Sequence, residues 1–220
     1  MLQKYTIFGE RCSGTNYLEN IINMNFDVTV TWEYGWKHFF GFQDNSLKNS
    51  DDTLFICIVR NLPDWINSFY RTPHHVPKYK KMLCKEKRLD EFLNKEFYSV
   101  FDKDQTERME DRNIYTGERY KNIFELRHTK LNWMLEDLPN KVENCIFIRH
   151  EDLINDFEKT LLKIKDMGLE VKKNINFPLN TTFYKKTNSI FKIKTNDISN
   201  EFILSNPNII KLYEKKIYNI

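Results

Sequence analysis

The chain has 220 residues, of which 30% are charged and 40% hydrophobic, and its formal net charge at pH 7 is +3. This length supports a substantial hydrophobic core, and we predict a single domain over residues 1–220. The small net charge gives no reason to expect nucleic acid as a partner. It leaves room for a local basic site that binds a small anion.

The sequence carries no marker of secretion or of a resident metal. No basic segment followed by a long apolar stretch stands at the N-terminus, so we expect a cytoplasmic protein that does not insert into a membrane. The four cysteines are scattered without metal-ligand spacing, which favours a reducing compartment and predicts no metal site.

The first predicted elements are a strand at residues 5–8, a tight polar turn over residues 9–14 and a helix directly behind it. Free backbone N–H groups and the positive end of a helix dipole meet at such a junction and can bind an anion. Arg11 adds a positive charge, and the hydroxyls of Ser13 and Thr15 are predicted to cap the helix. No Lys follows the second glycine, so the turn is not a Walker A loop. Taken alone, it fits an ordinary strand-to-helix turn equally well.

The rest of the chain alternates between strand-like and helix-like segments. We predict further strands at 28–32, 54–59 and 145–148, and helices from residue 63 and over 89–101, 120–138, 157–167 and 201–217. Residues 43–52 and 72–87 are predicted loops, and 102–119 a flexible, solvated excursion. The alternation predicts a three-layer α/β sandwich with a mainly parallel central sheet.

Ligands of such sheets bind at the carboxyl ends of the strands. Basic side chains follow several of the predicted strands, namely Arg11, Lys37 and His38, Arg60, and Arg149 with His150. Their concentration at one edge predicts a polyanionic ligand.

Four segments resemble the P-loop-like sulfotransferases that use 3′-phosphoadenosine 5′-phosphosulfate (PAPS). Residues 9–16 (Gly-Glu-Arg-Cys-Ser-Gly-Thr-Asn) look like the family's loop for the 5′-phosphosulfate. Residues 59–70 resemble its 3′-phosphate motif, in which a strand ends in Arg, here Arg60, and Ser follows eight residues later, here Ser68. Trp36-Lys37-His38 resembles the segment that carries the catalytic histidine, and residues 149–153 resemble a late Tyr-Glu-Asp-Leu stretch. The resemblance covers roughly residues 4–170, and a variant group with a Gly-Glu-Arg-x-Ser-Gly-Thr-Asn loop is the most similar.

The resemblance implies an enzyme that transfers a sulfuryl group from PAPS to an acceptor hydroxyl or amine and releases 3′-phosphoadenosine 5′-phosphate (PAP). His38 would act as the general base. Many members have Lys where this chain has Cys12, so Arg11 and Lys37 are the candidate catalytic cations. The implied cofactor-binding residues are Arg11, Cys12, Ser13, Gly14, Thr15, Asn16, Arg60 and Ser68. The acceptor, whether glycan, protein or small molecule, is left open.

Two other functions stay open at this point. A P-loop nucleotide kinase or other phosphotransferase would need a loop Lys and a Mg²⁺-binding carboxylate, and neither is evident. A non-catalytic nucleotide-binding protein that acts by interaction would explain the missing loop Lys.

Single residues also have plainer interpretations. Arg60 could pair with Asp64, His74 could be an ordinary loop residue, and His150 could cap a strand. The helix start could lower the pKa of Cys12, although a small turn-lining residue is the simpler interpretation.

Overall fold

The structure is a computed structural model that describes residues 2–42, 44–180 and 194–219. In this part of the chain four parallel strands form a sheet in the order β2-β1-β3-β4. The strands are β1 (Lys4–Phe8), β2 (Thr29–Val30), β3 (Thr53–Val59) and β4 (Cys145–Arg149). β3 lies at the centre, and all of its residues are buried, as expected for a strand covered on both faces.

Helices connect and cover these strands. They are α1 (Thr15–Asn25), α2 (Leu62–Arg71), α3 (Lys78–Lys85), α4 (Leu89–Asn94), α5 (Ile123–Asn132), α6 (His150–Asn155), α7 (Phe157–Asp166), α8 (Asn200–Leu204) and α9 (Lys211–Tyr218). α5 continues into a π-helical turn (Trp133–Asp137) and a 3₁₀ turn (Leu138–Asn140).

The two faces of the sheet carry separate apolar clusters, because successive strand side chains point to opposite faces. Ile7 and Ile56 pack with residues of α1, α6 and α7 on one face. Phe8 and Phe55 pack on the other face with Trp133 and with residues of α9. A fully buried aliphatic or aromatic side chain of this kind contributes roughly 1.5–3 kcal/mol to folding. The predicted three-layer α/β class with a parallel sheet is therefore confirmed.

A third apolar cluster joins α2, α3, α4, α5 and α8. Trp65, Phe69, Phe92 and Phe97 are fully or almost fully buried within it. This cluster lies next to the turn that follows β1, since the indole Nε1 of Trp65 donates to the carbonyl oxygen of Arg11 at 2.7 Å.

Several predicted boundaries are wrong. The helix predicted over 89–101 ends at Asn94, and Phe97 instead forms an antiparallel bridge with Tyr120. The predicted loop 72–87 contains α3, which begins after Pro77. The helix predicted over 120–138 begins at Ile123, where the side chain of Asn122 accepts from two backbone N–H groups.

Three further segments differ from prediction. The helix predicted over 201–217 is divided into α8 and α9, with Pro207 in the interval, where it lacks an N–H for a helical bond. β2 has two residues rather than the five predicted over 28–32. Within the predicted loop 43–52, Asp44–Asn49 form a 3₁₀ helix, and residue 43 lies outside the described residues.

Candidate functional site

The turn after β1 is joined to the Lys37-His38 segment through Gly9. The amide nitrogen of Gly9 lies 2.9 Å from the carbonyl oxygen of Lys37, and the Nδ1 atom of His38 lies 2.8 Å from the carbonyl oxygen of Gly9. A Cβ atom at residue 9 would stand 2.6 Å from the carbonyl oxygen of Ile58. Only glycine therefore allows this close approach of the turn to β3.

α1 begins at Thr15, directly behind Gly14, whose φ of 97° lies in the left-handed region. The predicted side-chain caps are wrong: no side chain caps this helix, and the Ser13 hydroxyl donates to the carbonyl oxygen of Glu10 at 2.7 Å. The first turn of a helix has no intrahelical acceptors for its N–H groups. The junction thus retains the polarity that favours an anion.

Arg11 is buried rather than open at the turn. Its Nη1 lies 2.7 Å from the Ser99 hydroxyl and 2.9 Å from Asp111 Oδ2. Its guanidinium carbon also lies 5.2–5.6 Å from the ring centres of Phe39, Phe69 and Phe97. The carboxylate of Asp111 neutralises the charge that was predicted to face the ligand.

Asp111 belongs to the segment predicted to be a solvated excursion, and that prediction is wrong for this residue. Its side chain is fully buried and also accepts from Lys130, which donates in addition to the carbonyl oxygen of His38. Burial raises the pKa of Asp111, but the charges of Lys130 and Arg11 outweigh this effect and hold the pKa below its usual value. Asp111 and Lys130 were missed as site residues, because nothing in their local sequence distinguishes them from surface charges.

Lys37 lies against the start of α1. Its Nζ is 2.6 Å from Asn16 Oδ1 and 3.0 Å from Glu19 Oε2, and it also lies within 5.5 Å of the ring centres of Trp32 and Trp36. The structure therefore brings the predicted residues Lys37 and Asn16 into direct contact.

His38 is buried, and its contact with Gly9 sets its tautomer. A carbonyl oxygen can only accept, so the contact with Gly9 places the ring proton on Nδ1 and leaves the lone pair on Nε2. Burial lowers the pKa of His38 well below its usual value, with Arg11 acting in the same direction. The imidazole is thus neutral near pH 7. The ring of His74 lies 6.0 Å away, centre to centre.

Arg60 and Ser68 both lie against the turn at Cys12. Arg60 Nη1 is 3.5 Å from the carbonyl oxygen of Cys12, and the Cys12 thiol interacts with the hydroxyls of Ser68 and Thr72. The Nε atom of Arg60 is buried without a hydrogen-bond partner among the described residues. The alternative pairing with Asp64 is not formed, because Asp64 accepts from the side chains of Asn61 and Asn196.

Two further side chains border this region. Burial raises the pKa of the Cys12 thiol, so the alternative of a lowered pKa is wrong. His150 packs on the turn, since a Cβ at Gly14 would lie 2.4 Å from its Cδ2. Burial, followed by the charge of Arg60, lowers the pKa of His150 to about 4, so this ring is also neutral.

The described residues contain no group of three or more His, Cys, Asp or Glu side chains that could hold a metal ion. They also contain no helix long and apolar enough to cross a bilayer.

Comparisons with known proteins give likeness in structure but not in sequence. No protein-family model matches the chain, and no curated protein is detectably similar in sequence. Among solved structures, the mouse sulfotransferase SULT7A1 in complex with PAP is similar, with 17% identity and a TM-score of 0.41. The similarity covers 78% of this chain and 61% of that one, so the chain matches about three fifths of the length of that protein.

Proposed function

We propose that the chain is a PAPS-dependent sulfotransferase that acts on a hydroxyl or amine acceptor. The main observation in support of this proposal is that Arg60 and Ser68 both contact Cys12 in the turn after β1. These residues belong to the two segments whose sequences resemble the 3′-phosphate and 5′-phosphosulfate motifs. An Arg at a strand end and a Ser eight residues later can then enclose one phosphate beside the loop.

The side chains present fit a nucleotide with two anionic groups. Arg60 has no carboxylate partner among the described residues, and its buried Nε lacks an acceptor. A guanidinium in this state favours a phosphate, which it can bind through two parallel hydrogen bonds. The start of α1 offers a second anion site at residues 13–16, where Gly14 allows a close backbone approach.

When bound, PAPS would supply the activated sulfuryl group, and the chain would supply position and charge. His38 Nε2 would accept the proton of the attacking hydroxyl or amine. The carbonyl oxygen of Gly9 would hold the ring in place and stabilise the imidazolium that forms. The low pKa of His38 keeps the imidazole in the neutral starting form that a base requires, and it also makes the ring a weaker base.

Of the two predicted cations, Lys37 is better suited than Arg11 to face the leaving phosphate. Its partner Glu19 is 26% exposed, whereas the Arg11 partner Asp111 is fully buried. Removing one member of a buried pair such as Arg11–Asp111 costs about 3–5 kcal/mol. The Lys37–Glu19 pair is less enclosed, because Glu19 is partly exposed even though Lys37 itself is only 8% exposed. We therefore assign Arg11 to the support of the turn and Lys37 to the ligand.

A thermal-shift titration tests the nucleotide. At a PAP concentration one hundred times Kd, binding stabilises the fold by about 2.7 kcal/mol, which raises the midpoint by roughly 5–10 °C. We expect this shift in the wild type, a smaller shift with adenosine 5′-phosphate, and its loss in Arg60→Ala. Arg149→Ala is the matched control, because Arg149 also ends a strand but pairs with Asp152. A shift with ATP and Mg²⁺ but not with PAP would favour a kinase instead.

A further inference from the structure

Arg127, on α5, contacts both parts of the proposed nucleotide site, the turn after β1 and the backbone of Arg60. Its Nη1 lies 2.9 Å from Glu10 Oε2, in the turn after β1, and its Nη2 lies 2.9 Å from the carbonyl oxygen of Arg60. Its Nε and Nη2 also donate to the carboxylate of Glu214 on α9. The side chain is only 2% exposed, so these contacts are made away from solvent.

These contacts close a ring through the site. The turn runs from Glu10 to Cys12, whose carbonyl oxygen contacts the guanidinium of Arg60. The backbone of Arg60 then leads back to Arg127, and Arg127 leads back to Glu10. A displacement of the turn must therefore change either the position of Arg60 or the hydrogen bonds of Arg127.

Only arginine can make this connection. Its planar guanidinium offers five N–H donors in a rigid fork, so it can hold two carboxylates and a carbonyl oxygen in different directions. A lysine has one ammonium nitrogen at the end of a flexible stem. Arg127→Lys would keep the charge and lose the simultaneous contact with the turn and with Arg60.

We propose that Arg127 is a positioning residue that couples the turn of residues 9–16 to Arg60, so that the two phosphate subsites bind one nucleotide cooperatively. This inference rests on the proposed function and adds to it a residue outside the segments that resemble the family's motifs. Arg127 acts through Glu10 and Arg60 and has no role in contact with the ligand.

The test is the affinity gained from the 3′-phosphate, measured by calorimetry as the ratio of the Kd of adenosine 5′-phosphate to that of PAP. We expect Arg127→Lys to lower this ratio roughly tenfold, within the usual range of coupling between two sites. Glu214→Gln is the matched control, because it leaves the contacts of Arg127 with Glu10 and Arg60 in place. It should lower thermal stability and preserve the ratio. An unchanged ratio in folded Arg127→Lys would overturn the proposal, as would an equal fall in both variants.

A ligand-free readout separates this inference from the proposed function. In ¹H–¹⁵N spectra of the free protein, Arg127→Lys should shift amide signals of residues 10–16 and of residues 60–62 together, and leave those of α7 in place. If neither nucleotide binds the wild type, the proposed function fails, and these spectra alone decide the positioning role. Unshifted signals in either segment would overturn it. If Arg127→Lys does not fold, Glu10→Gln is the alternative variant, because it weakens the contact between Arg127 and the turn. It should lower the ratio of the two Kd values several-fold. An unchanged ratio in Glu10→Gln would count against the proposal.

Discussion

The imidazole of His38 donates from Nδ1 to the carbonyl oxygen of Gly9 at 2.8 Å, and the backbone N–H of Gly9 donates to the carbonyl oxygen of Lys37, the neighbour of His38, at 2.9 Å. The candidate base is therefore fixed to the first residue of the turn that we propose holds the nucleotide. The same contact sets the tautomer, because it keeps the ring proton on Nδ1. The position and the tautomer of the base thus depend on one backbone carbonyl group.

The first prediction concerns His38→Asn. The Asn amide can still donate to the carbonyl oxygen of Gly9, but it cannot accept a proton, so we expect turnover to fall by roughly 10²–10⁴-fold. PAP affinity should stay close to that of the wild type. PAP release from PAPS, with 4-nitrophenol as a probe acceptor, measures the first quantity, and calorimetry measures the second. Wild-type turnover in this variant would exclude His38 as the base.

The second prediction concerns the pH dependence of stability and rests on His150. Its pKa is about 4 in the folded protein and about 6.5 when unfolded, so the unfolded chain binds more protons between these values. Stability should therefore fall as the pH falls from 6.5 towards 4, by up to about 3 kcal/mol from this residue. Urea unfolding at pH 7 and pH 4.5 measures the loss.

His150→Gln is the control, since only the difference between variant and wild type isolates this residue. His74, with a pKa also lowered to about 4 by burial, acts in the same direction. Glu10 opposes both, because burial raises its pKa to about 6 and protonation then favours the folded state as the pH falls. The variant should lose less stability than the wild type between the two pH values. An equal loss would contradict the assigned cause.

The sheet and the two motif segments were predictable because their signals are local. An apolar run such as that of β3 has few alternatives to a buried strand, and Arg60 and Ser68 lie a fixed number of residues apart on a strand end and a helix. In the structure both residues lie against the turn at Cys12.

The support of the site was not predictable, because its contacts join residues far apart in the chain. Asp111 contacts Arg11, which lies 100 residues away in the chain, and Arg127 contacts Glu10, which lies 117 residues away. A charged residue destined for a buried pair has the same local sequence as one that faces water. Phe97 illustrates the same limit for secondary structure, since its apolar side chain fits the period of a helix but is buried through a bridge to Tyr120.

The third prediction compares two glycines in left-handed conformations. Gly14→Ala forces an L-residue to φ of 97° and places its Cβ 2.4 Å from the His150 ring, so both backbone strain and a clash result. Gly117→Ala has a φ of 75° with no atom within 4 Å of the new Cβ, so only strain results. We expect Gly117→Ala to cost about 1–2 kcal/mol and Gly14→Ala clearly more.

Chemical denaturation gives both free energies of unfolding. The double variant Gly14→Ala, His150→Ala should recover part of the loss of Gly14→Ala, because the ring that the new Cβ meets is gone. A double variant whose loss equals the sum of the two single losses would show that His150 does not pack on the turn.

The fourth prediction concerns Asp111→Ala. Loss of this carboxylate leaves the charges of Arg11 and Lys130 buried without their common partner, and removing one member of a buried ion pair costs about 3–5 kcal/mol. Asp111→Asn keeps the size and a hydrogen-bond acceptor, so its loss should come from charge and be smaller. Glu118→Ala, at an exposed acidic residue of the same segment, should change stability by less than about 0.5 kcal/mol. Thermal unfolding of the three variants gives the order of their losses of stability. If Asp111→Ala loses as little stability as Glu118→Ala, Asp111 is not part of a buried ion pair, and the solvated segment that the sequence predicts is correct.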